Sequence, residues 1–252
     1  MSSPLNITMI MPTYNEVENL PKISAAVLDL PAPVSLLIVD DNSPDGTGQK
    51  AEELALQYPG RIAVMHRAGK LGLGTAYIQG IQFLLKNGIN GTIPDAIGQM
   101  DADFSHPPAK ILEMAVALNR TDIAVGSRYI TGGGLDENWP AWRKGLSSFG
   151  NLYARSILNL PIKDGTGGFR LWSRRVLEAM PLDDICSNGY VFQVEMAYVA
   201  HRLGFNFIEI PIYFSERRFG TSKMSFRIQV EAALRVWQVK WIHRGIKPLK
   251  NL

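Results

Sequence analysis

The sequence predicts an α/β protein with a mostly parallel, Rossmann-like sheet flanked by helices. Short continuous apolar runs recur along the first half of the chain, segments with helical periodicity separate them, and turn-forming residues stand at most boundaries. Strands that alternate with helices of about 10–15 residues form βαβ units, in which the strands lie parallel. A strand that is covered on both faces is apolar throughout and does not alternate between apolar and polar residues. The runs in this sequence are continuously apolar in the same way.

Each element follows from a local pattern. The predicted strands of the first half are residues 7–11, 35–39, 62–65, 96–100 and 123–126. The predicted helices between them are about 18–30, 47–58, 74–86 and 108–119. Further on, we expect a mobile Gly- and Trp-rich loop at 129–145, a helix at 146–158, a turn-rich stretch at 161–171, a helix at 190–203 and a strand at 206–212. No repeat or linker interrupts the chain, so a single domain is expected.

Composition restricts the class of protein. The chain has 252 residues, of which 46% are hydrophobic and 19% charged, as in ordinary globular proteins. Its one cysteine, Cys186, cannot form an internal disulfide, which excludes a disulfide-stapled secreted domain. The first residues lack a basic start and an apolar run, and no run of about 18 apolar residues occurs. We therefore expect a cytoplasmic protein, either free or bound peripherally to the cytoplasmic face of a membrane.

The net charge of +3 is unevenly distributed. Residues 1–216 carry 17 Lys or Arg against 22 Asp or Glu, whereas residues 217–252 carry nine basic residues against Glu231 alone. Such a basic segment favours phosphate-bearing partners. We therefore divide the chain into a catalytic domain at 1–224 and a basic amphipathic helical tail at 225–252.

The tail has an apolar stripe at helical spacing. The stripe consists of Phe226, Val230, Ala233, Leu234, Trp237 and Trp241. It could pack on its own domain, lie on an anionic bilayer, or bind a membrane-anchoring partner. The sequence leaves these three alternatives open. Nucleic-acid binding is not expected, because no recognised module is present.

Polar clusters follow four of the predicted strands, at 12–16, 40–46, 101–103 and 127–128. In open parallel sheets, ligands bind outside the carboxyl ends of the strands. One such cluster alone could be turn or capping chemistry. Four clusters at one edge instead predict a binding site there.

The most informative cluster is Asp101-Ala102-Asp103. Alternation along an extended segment points residues i and i+2 the same way, so both carboxylates can face one cation. Oxygen ligands suit Mg²⁺ or Mn²⁺, which also bind substrate phosphates. The motif therefore predicts a metal and diphosphate site. We expect the nearby His106 to lie at a helix start or on the surface rather than to bind metal.

Two further segments point to a nucleotide. Asp40 and Asp41 form an acidic pair, one of which can accept hydrogen bonds from a nucleobase or ribose. Residues 70–76 contain Gly72 and Gly74 but match neither the dinucleotide fingerprint nor the P-loop. We interpret this segment as a close-packed helix entry whose backbone amides face the nucleotide.

Eight motifs in order then resemble a known family. They are PTYNE at 12–16, DDNSPDGT at 40–47, LGLGTAY at 71–77, DAD at 101–103, GSRY at 126–129, DGTGGFR at 164–170, GYVFQVE at 189–195 and RRFGTSK at 217–223. Together they resemble the dolichol-phosphate mannose synthases, the polyprenyl-phosphate mannosyltransferase branch of glycosyltransferase family 2. This resemblance implies a GT-A fold and metal-dependent transfer of mannose, with inversion, from GDP-mannose to a polyprenyl phosphate.

The resemblance also implies residue roles. The expected catalytic residues are Asp101, Asp103 and Arg128. The expected nucleotide-sugar contacts are Pro12, Tyr14, Glu16, Val39, Asp41, Asp101, Ala102, Asp103, Arg128, Arg217 and Lys223. Arg128, Arg143 and Arg217 are expected at the acceptor phosphate. Asp101, Asp103 and Ser105 are expected at the Mg²⁺ or Mn²⁺ ion, although Ser105 stands where some family members have a glutamine ligand.

Two questions stay open at this point. The donor could be another sugar nucleotide, such as UDP-glucose or a GlcNAc donor, and the acceptor a saccharide; a nonenzymatic nucleotide sensor is the rival from another class. Gln193 and Glu195 stand two apart on a helix and therefore do not share a face. One of them is expected to face the site and the other to support the fold.

Overall fold

The fold is given by a computed structural model that describes residues 5–215 and 226–249, with the backbone alone at 226–230. The strands are β1 Ile7–Thr13, β2 Val34–Asp40, β3 Ile62–His66, β4 Ala96–Gln99, β5 Ile123–Ser127, β6 Gly134–Leu135, β7 Arg170–Ser173, β8 Phe207–Pro211 and β9 Tyr213–Phe214. The helices are α1 Leu20–Leu28, α2 Thr47–Gln57, α3 Leu73–Asn87, α4 Lys110–Ala117, α5 Ala141–Leu158, α6 Arg174–Ala179, α7 Gly189–Leu203 and α8 Phe226–Ile242. The predicted α/β class is confirmed.

Seven strands form the main sheet in the order β3-β2-β1-β4-β7-β5-β8. Six of them run parallel, and β7 lies antiparallel between β4 and β5. Because β7 runs the opposite way, its first residue, Arg170, lies at the edge where the parallel strands end. Arg170 is in register with Gln99 of β4 and Val125 of β5. The loop that precedes β7 is thereby brought to the carboxyl edge of the sheet.

Both faces of the sheet are covered. Alternate residues of β1 and β2 enter opposite cores: Ile10 and Leu37 pack beneath α3, α5, α6, α7 and α8, while Met9 and Leu36 pack beneath α1, α2 and α4. The predicted close-packed entry of α3 is also present, since a Cβ added to Gly74 would stand 2.6 Å from the carbonyl oxygen of Ser187.

The second half differs from the prediction at α5, β6 and β7, and the short helix α6 was not predicted either. Helix α5 begins at Ala141, five residues earlier than expected, directly after Pro140, whose extended backbone stands at the N-cap position. Short strand β6 lies within the predicted loop and pairs with β9. Strand β7 begins inside the predicted turn-rich stretch. These strands of two and four residues are too short for hydrophobic periodicity to mark them.

The C-terminal helix α8 packs against α5 and α7. Its core contacts are Val236 and Val239, both almost fully buried. Leu234, Trp237 and Trp241 of the predicted apolar stripe are instead more than half exposed. Of the three alternatives left open for the stripe, packing on the domain therefore does not apply to these three residues. The boundary between 224 and 225 falls outside the described residues and stays a prediction.

Over the described ranges 5–215 and 226–249, no helix combines the length and apolarity needed to cross a membrane.

Candidate active site

The polar clusters meet at the carboxyl edge of the sheet, as predicted. Strands β1, β2 and β4 are neighbours there, and β5 follows beyond β7. His106 lies within electrostatic reach of Asp101, Asp103, Arg128 and Asp164. The acidic motif after β4 and the arginine after β5 therefore both lie near His106.

Two hydrogen bonds between residues that are close in the sequence hold the loop after β4. The Ser105 N–H donates to Asp103 Oδ1 over 3.0 Å, and the Asp101 N–H donates to His106 Nδ1 over 3.0 Å. Between them, Phe104 adopts a positive φ of 63°. Both bonds turn the loop back on itself, so that the two carboxylates stay close to the end of β4.

His106 is buried, so it does not take the surface position that was one of its two expected places. Its ring stacks on Phe169 at 5.1 Å and contacts the edge of Phe214. Burial lowers the pKa of His106 below its ordinary value. Because Nδ1 accepts the bond from Asp101, the neutral ring carries its proton on Nε2. His106 therefore acts as a support beneath the acidic loop.

The loop fits a divalent cation. It supplies two carboxylates, and the buried Oγ of Ser105 has no hydrogen-bond partner among the described residues. No group of three His, Cys, Asp or Glu suited to a metal occurs in the part of the chain that the structure describes. This donor set matches Mg²⁺-type sites, where one or two carboxylates hold the ion and substrate phosphates complete the shell.

The acidic pair after β2 divides into two roles. Asp40 accepts from Thr13 Oγ1 at 3.1 Å and from Ser43 Oγ at 2.6 Å, so it organises the turn. Asp41 forms a 2.7 Å ion pair with Arg67, which also donates to Thr75 Oγ1. Burial raises the pKa of Asp41, against the opposing effect of Arg67. Asp41 therefore joins the ends of β2 and β3 to the start of α3.

The other predicted nucleotide contacts have different positions. Tyr14 is partly exposed, with Lys70 Nζ 4.1 Å from its ring centre. The Glu16 N–H donates to Thr47 Oγ1, and the Glu16 carboxylate accepts from Asn19. Pro12 lies in β1 and pairs in register with Val39. The side chain of Val39 is fully buried in the core, and its contact with the nucleotide stays a prediction.

Arg128 and Asp164 form a buried bidentate pair. Arg128 Nε and Nη2 each donate to an Asp164 oxygen at 2.7 Å, and Nη2 also donates to Thr166 Oγ1. Burial alone would lower the pKa of Arg128 and raise that of Asp164. The attraction within the pair outweighs burial and shifts both values in the opposite directions. Both groups therefore stay charged, and the guanidinium keeps a fixed orientation.

Arg143 lies on α5 with its guanidinium 3.6 Å from the ring centre of Trp139. Trp139 contacts the edge of Phe214, and the Arg128 guanidinium lies 5.3 Å from the same Phe214 ring. An aromatic cluster thus connects the two predicted acceptor residues. Arg217 and Lys223, the other two predicted basic residues, lie outside the described residues.

Sequence reasoning missed two arginines. Arg67 directly follows β3, the one predicted strand of the first half to which no polar cluster was assigned. Arg170 is fully buried and donates to the carbonyl oxygens of Gly165, Gly167 and Gln193. Burial lowers its pKa to about 10. Its place in the DGTGGFR motif was visible in the sequence, but its role as a brace for that loop required the position of β7.

Glu195 supports the fold and Gln193 does not. Glu195 accepts from the Ser187 N–H at 2.7 Å and forms a 2.8 Å contact with His243 Nε2, so it joins α7 to the residues that follow α8. The buried carboxamide of Gln193 has no partner among the described side chains or backbone. Of the two, Gln193 therefore stays the candidate to face the site.

Comparison with known sequences gives one family. The family model of Glycosyl transferase family 2 matches residues 8–181. A polyprenol monophosphomannose synthase of Mycolicibacterium smegmatis is 44% identical over 238 residues, 94% of this chain and 87% of that protein. An undecaprenyl-phosphate mannosyltransferase of Micrococcus luteus is 42% identical over 232 residues, 92% of this chain and 93% of that protein.

Solved structures share the fold at low identity. A glucosyl-3-phosphoglycerate synthase from Mycobacterium tuberculosis, in complex with Mn²⁺, UDP and glucosyl-3-phosphoglycerate, has a TM-score of 0.64 at 16% identity, covering 98% of this chain and 82% of that one. A mannosyltransferase from Pyrobaculum calidifontis, in complex with GDP-Man and Mn²⁺, has a TM-score of 0.64 at 18% identity, covering 98% and 67%. Both likenesses concern the fold.

Proposed function

The chain belongs to glycosyl transferase family 2, and on that premise we propose that it transfers mannose from GDP-mannose to a polyprenyl phosphate, with inversion. The observation that carries the proposal is the meeting of the Asp101-Ala102-Asp103 loop and the Arg128–Asp164 pair around His106. One side suits a metal-bound diphosphate, and the other suits an anionic acceptor. The names of the two bacterial relatives supply the sugar and the lipid.

The acceptor needs little activation by the protein. A phosphate monoester has a second pKa near 6, so at neutral pH it is mostly a dianion and already nucleophilic. The difficulty is to bring this dianion beside an anionic diphosphate. Catalysis then depends on positioning and on fixed positive charge rather than on a general base.

Arg128 and Arg143 would provide that charge, together with the predicted contributions of Arg217 and Lys223. Arginine suits phosphate because its planar fork can donate two parallel hydrogen bonds. The bonds of Arg128 to described residues use Nε and Nη2. We therefore assign its Nη1 edge to the acceptor phosphate, with Asp164 holding the guanidinium in place.

The donor would lie along the ends of β1, β2 and β4. Asp41, oriented by Arg67, would accept from the ribose or base, and Tyr14, Glu16 and the backbone at Pro12 would border the same pocket. Asp101, Asp103 and Ser105 would hold Mg²⁺ or Mn²⁺, with Ala102 against the diphosphate. The ion would offset the negative charge that develops on GDP as it leaves.

A donor screen tests the proposed function. The purified chain is incubated with radiolabelled GDP-mannose, UDP-glucose or UDP-GlcNAc and with polyprenyl phosphate, with the divalent metal omitted in parallel. We expect lipid-linked label from GDP-mannose alone, and only with metal. Transfer from a UDP-sugar, or to a saccharide in place of the lipid phosphate, would favour the alternative donor or acceptor. Absence of both transfer and hydrolysis with every donor would favour a nonenzymatic sensor.

The surface formed by α5 and α8 suits contact with a membrane. Its exposed apolar side chains are Trp142, Phe149, Leu152, Leu234, Trp237 and Trp241. The two helices are joined there, because Trp237 Nε1 donates to Tyr153 Oη and Tyr153 donates to the Ala233 carbonyl. Two basic side chains lie against this surface: Lys240 Nζ is 5.6 Å from the ring centre of Trp237, and the Arg244 guanidinium is 4.8 Å from that of Trp241. We therefore propose peripheral docking on the anionic cytoplasmic face of the membrane.

Sedimentation with vesicles tests this docking. We expect the chain to sediment with vesicles that contain phosphatidylglycerol, and less with phosphatidylcholine alone or at high salt. Trp142→Ser and Trp241→Ser should each weaken binding about tenfold, from the loss of a large apolar contact. Leu56→Ser, which removes an exposed apolar residue of α2, is the matched control and should bind like the wild type. Equal loss in the control would contradict the assignment of this surface.

A further inference from the structure

Gln193 is a buried polar side chain whose carboxamide makes no hydrogen bond to the part of the chain that the structure describes. It lies on α7 and is 2% exposed, and neither its Oε1 nor its Nε2 has a hydrogen-bond partner among residues 5–215 and 226–249. A buried amide without a partner destabilises the folded state, because it has lost its hydrogen bonds to water. A ligand that forms hydrogen bonds with the carboxamide would remove this cost.

The backbone around Gln193 is fixed to the site. Its carbonyl oxygen accepts from Arg170 Nη1 at 2.7 Å, and Arg170 Nη2 donates to the Gly165 carbonyl at 2.7 Å. Arg170 thereby joins α7 to the loop that carries Asp164. The position of Gln193 is set by this brace and does not depend on its own carboxamide.

The carboxamide lies near His106, the residue that supports the acidic loop. A Cβ added to Gly168 would stand 3.6 Å from Gln193 Nε2 and 3.6 Å from His106 Cε1. Gly168 therefore separates the carboxamide from His106 and places no side chain between them. His106 in turn lies within electrostatic reach of both Asp103 and Arg128. The carboxamide lies on the same side of α7 as the point where donor and acceptor would meet.

The hydrogen-bonding groups of the Gln193 carboxamide limit which part of the substrates it can bind. A carboxamide offers a donor and an acceptor side by side, which complements neighbouring hydroxyl groups. The diphosphate has only acceptor oxygens, and the metal would be held by carboxylates. The group that lies between diphosphate and acceptor phosphate in the proposed reaction is the transferred hexose, which carries adjacent hydroxyls.

We infer that the Gln193 carboxamide binds hydroxyl groups of the transferred hexose and helps to select the sugar. This inference rests on the proposed function and adds to it the residue that reads the sugar. A site built to hydrogen-bond a hydroxyl discriminates strongly against a ligand that lacks it, because the buried partner is then left unpaired.

The test replaces Gln193 with a side chain of similar shape and no hydrogen-bonding amide. In Gln193→Met, the affinity for GDP-mannose, measured by calorimetry without acceptor, should fall roughly 100-fold, as expected for two lost hydrogen bonds. The affinity for GDP should not change, because GDP lacks the sugar. The melting temperature of the ligand-free variant should equal or exceed that of the wild type. Ser24→Ala, which removes another unpartnered buried polar atom on α1, is the control and should bind both ligands normally.

Deoxy analogues of GDP-mannose give an independent readout. In the wild type, at least one analogue lacking a hydroxyl should bind more weakly than GDP-mannose, and in Gln193→Met that same hydroxyl should make no difference. Unchanged GDP-mannose affinity in Gln193→Met, or an equal loss for GDP and GDP-mannose, overturns the inference. The inference is also overturned if the loss of each hydroxyl weakens binding as much in Gln193→Met as in the wild type. A wild type that does not bind GDP-mannose at all would instead contradict the proposed donor.

Discussion

An Asp103→Asn variant is expected to lose about 1,000-fold or more in turnover with any sugar nucleotide. The amide retains an oxygen that can accept from the Ser105 N–H, so the loop keeps the bond that shapes it. It loses the negative charge that a divalent cation needs. An effect of this size corresponds to the several kcal/mol by which a metal stabilises a departing anion. Asp103→Ala should show the same loss.

The measurement is steady-state transfer at saturating Mg²⁺ and, separately, saturating Mn²⁺. The matched control is Asp95→Asn, which alters an exposed carboxylate directly before the first residue of β4. This end of the strand is opposite to the acidic loop. It should keep wild-type turnover. Wild-type-like activity of Asp103→Asn with either ion would show that the acidic loop is not the metal site.

The second large effect is expected from Asp164→Leu. This change removes the partner of Arg128 and leaves a buried, unpaired guanidinium, which typically costs about 3–5 kcal/mol of stability. The Arg128 and Gly167 backbone N–H groups lose an acceptor as well. Turnover should fall about 100-fold in addition, because the guanidinium loses its orientation.

The double variant Arg128→Met with Asp164→Leu separates the two roles. An apolar pair of similar volume should restore part of the stability, because residue 128 is then no longer a buried, unpaired charge. Activity should not return, since the charge that faces the acceptor phosphate is gone. Urea unfolding and transfer assays report the two quantities. Recovery of activity in the double variant would show that Arg128 does not act on phosphate.

The pair also gives a prediction for pH, with a definite sign. Burial opposes ionisation of Asp164, but Arg128 outweighs it and holds the pKa of Asp164 below its ordinary value. An acid whose pKa is lowered by folding stabilises the protein above its unfolded pKa of about 3.9, and the contribution is lost as pH falls through the folded value. The stability difference between wild type and Asp164→Leu should therefore be constant near neutrality and shrink in acid.

Much of the fold could be predicted because its signals are local. The apolar runs at 7–11 and 35–39 are long enough to mark β1 and β2, and the helical periodicity between them marks α1. The helix predicted at 146–158 is present as α5 and ends as predicted, but it begins five residues earlier, at Ala141. Strand β7 was missed because four residues carry too little pattern, and its antiparallel direction depends on pairing with β4 and β5.

The candidate site divides in the same way. Asp101, Asp103 and Asp41 could be located from the sequence because each follows a recognisable strand. Whether His106 is buried, or which of Gln193 and Glu195 faces the site, depends on neighbours that are distant in the chain. Glu195 reaches His243 across 48 residues, and no local pattern announces such a contact.

By itself, the sequence determined the α/β class, the family resemblance and the acidic loop after β4, because strands, helices and strand-end residues depend on near neighbours. Only the tertiary structure decided the rest. It inserted β7 between β4 and β5, paired Arg128 with Asp164, buried Val39, and exposed Trp237 and Trp241. These outcomes depend on which surfaces of separate elements come into contact, and burial and pairing are properties of those contacts rather than of any one segment.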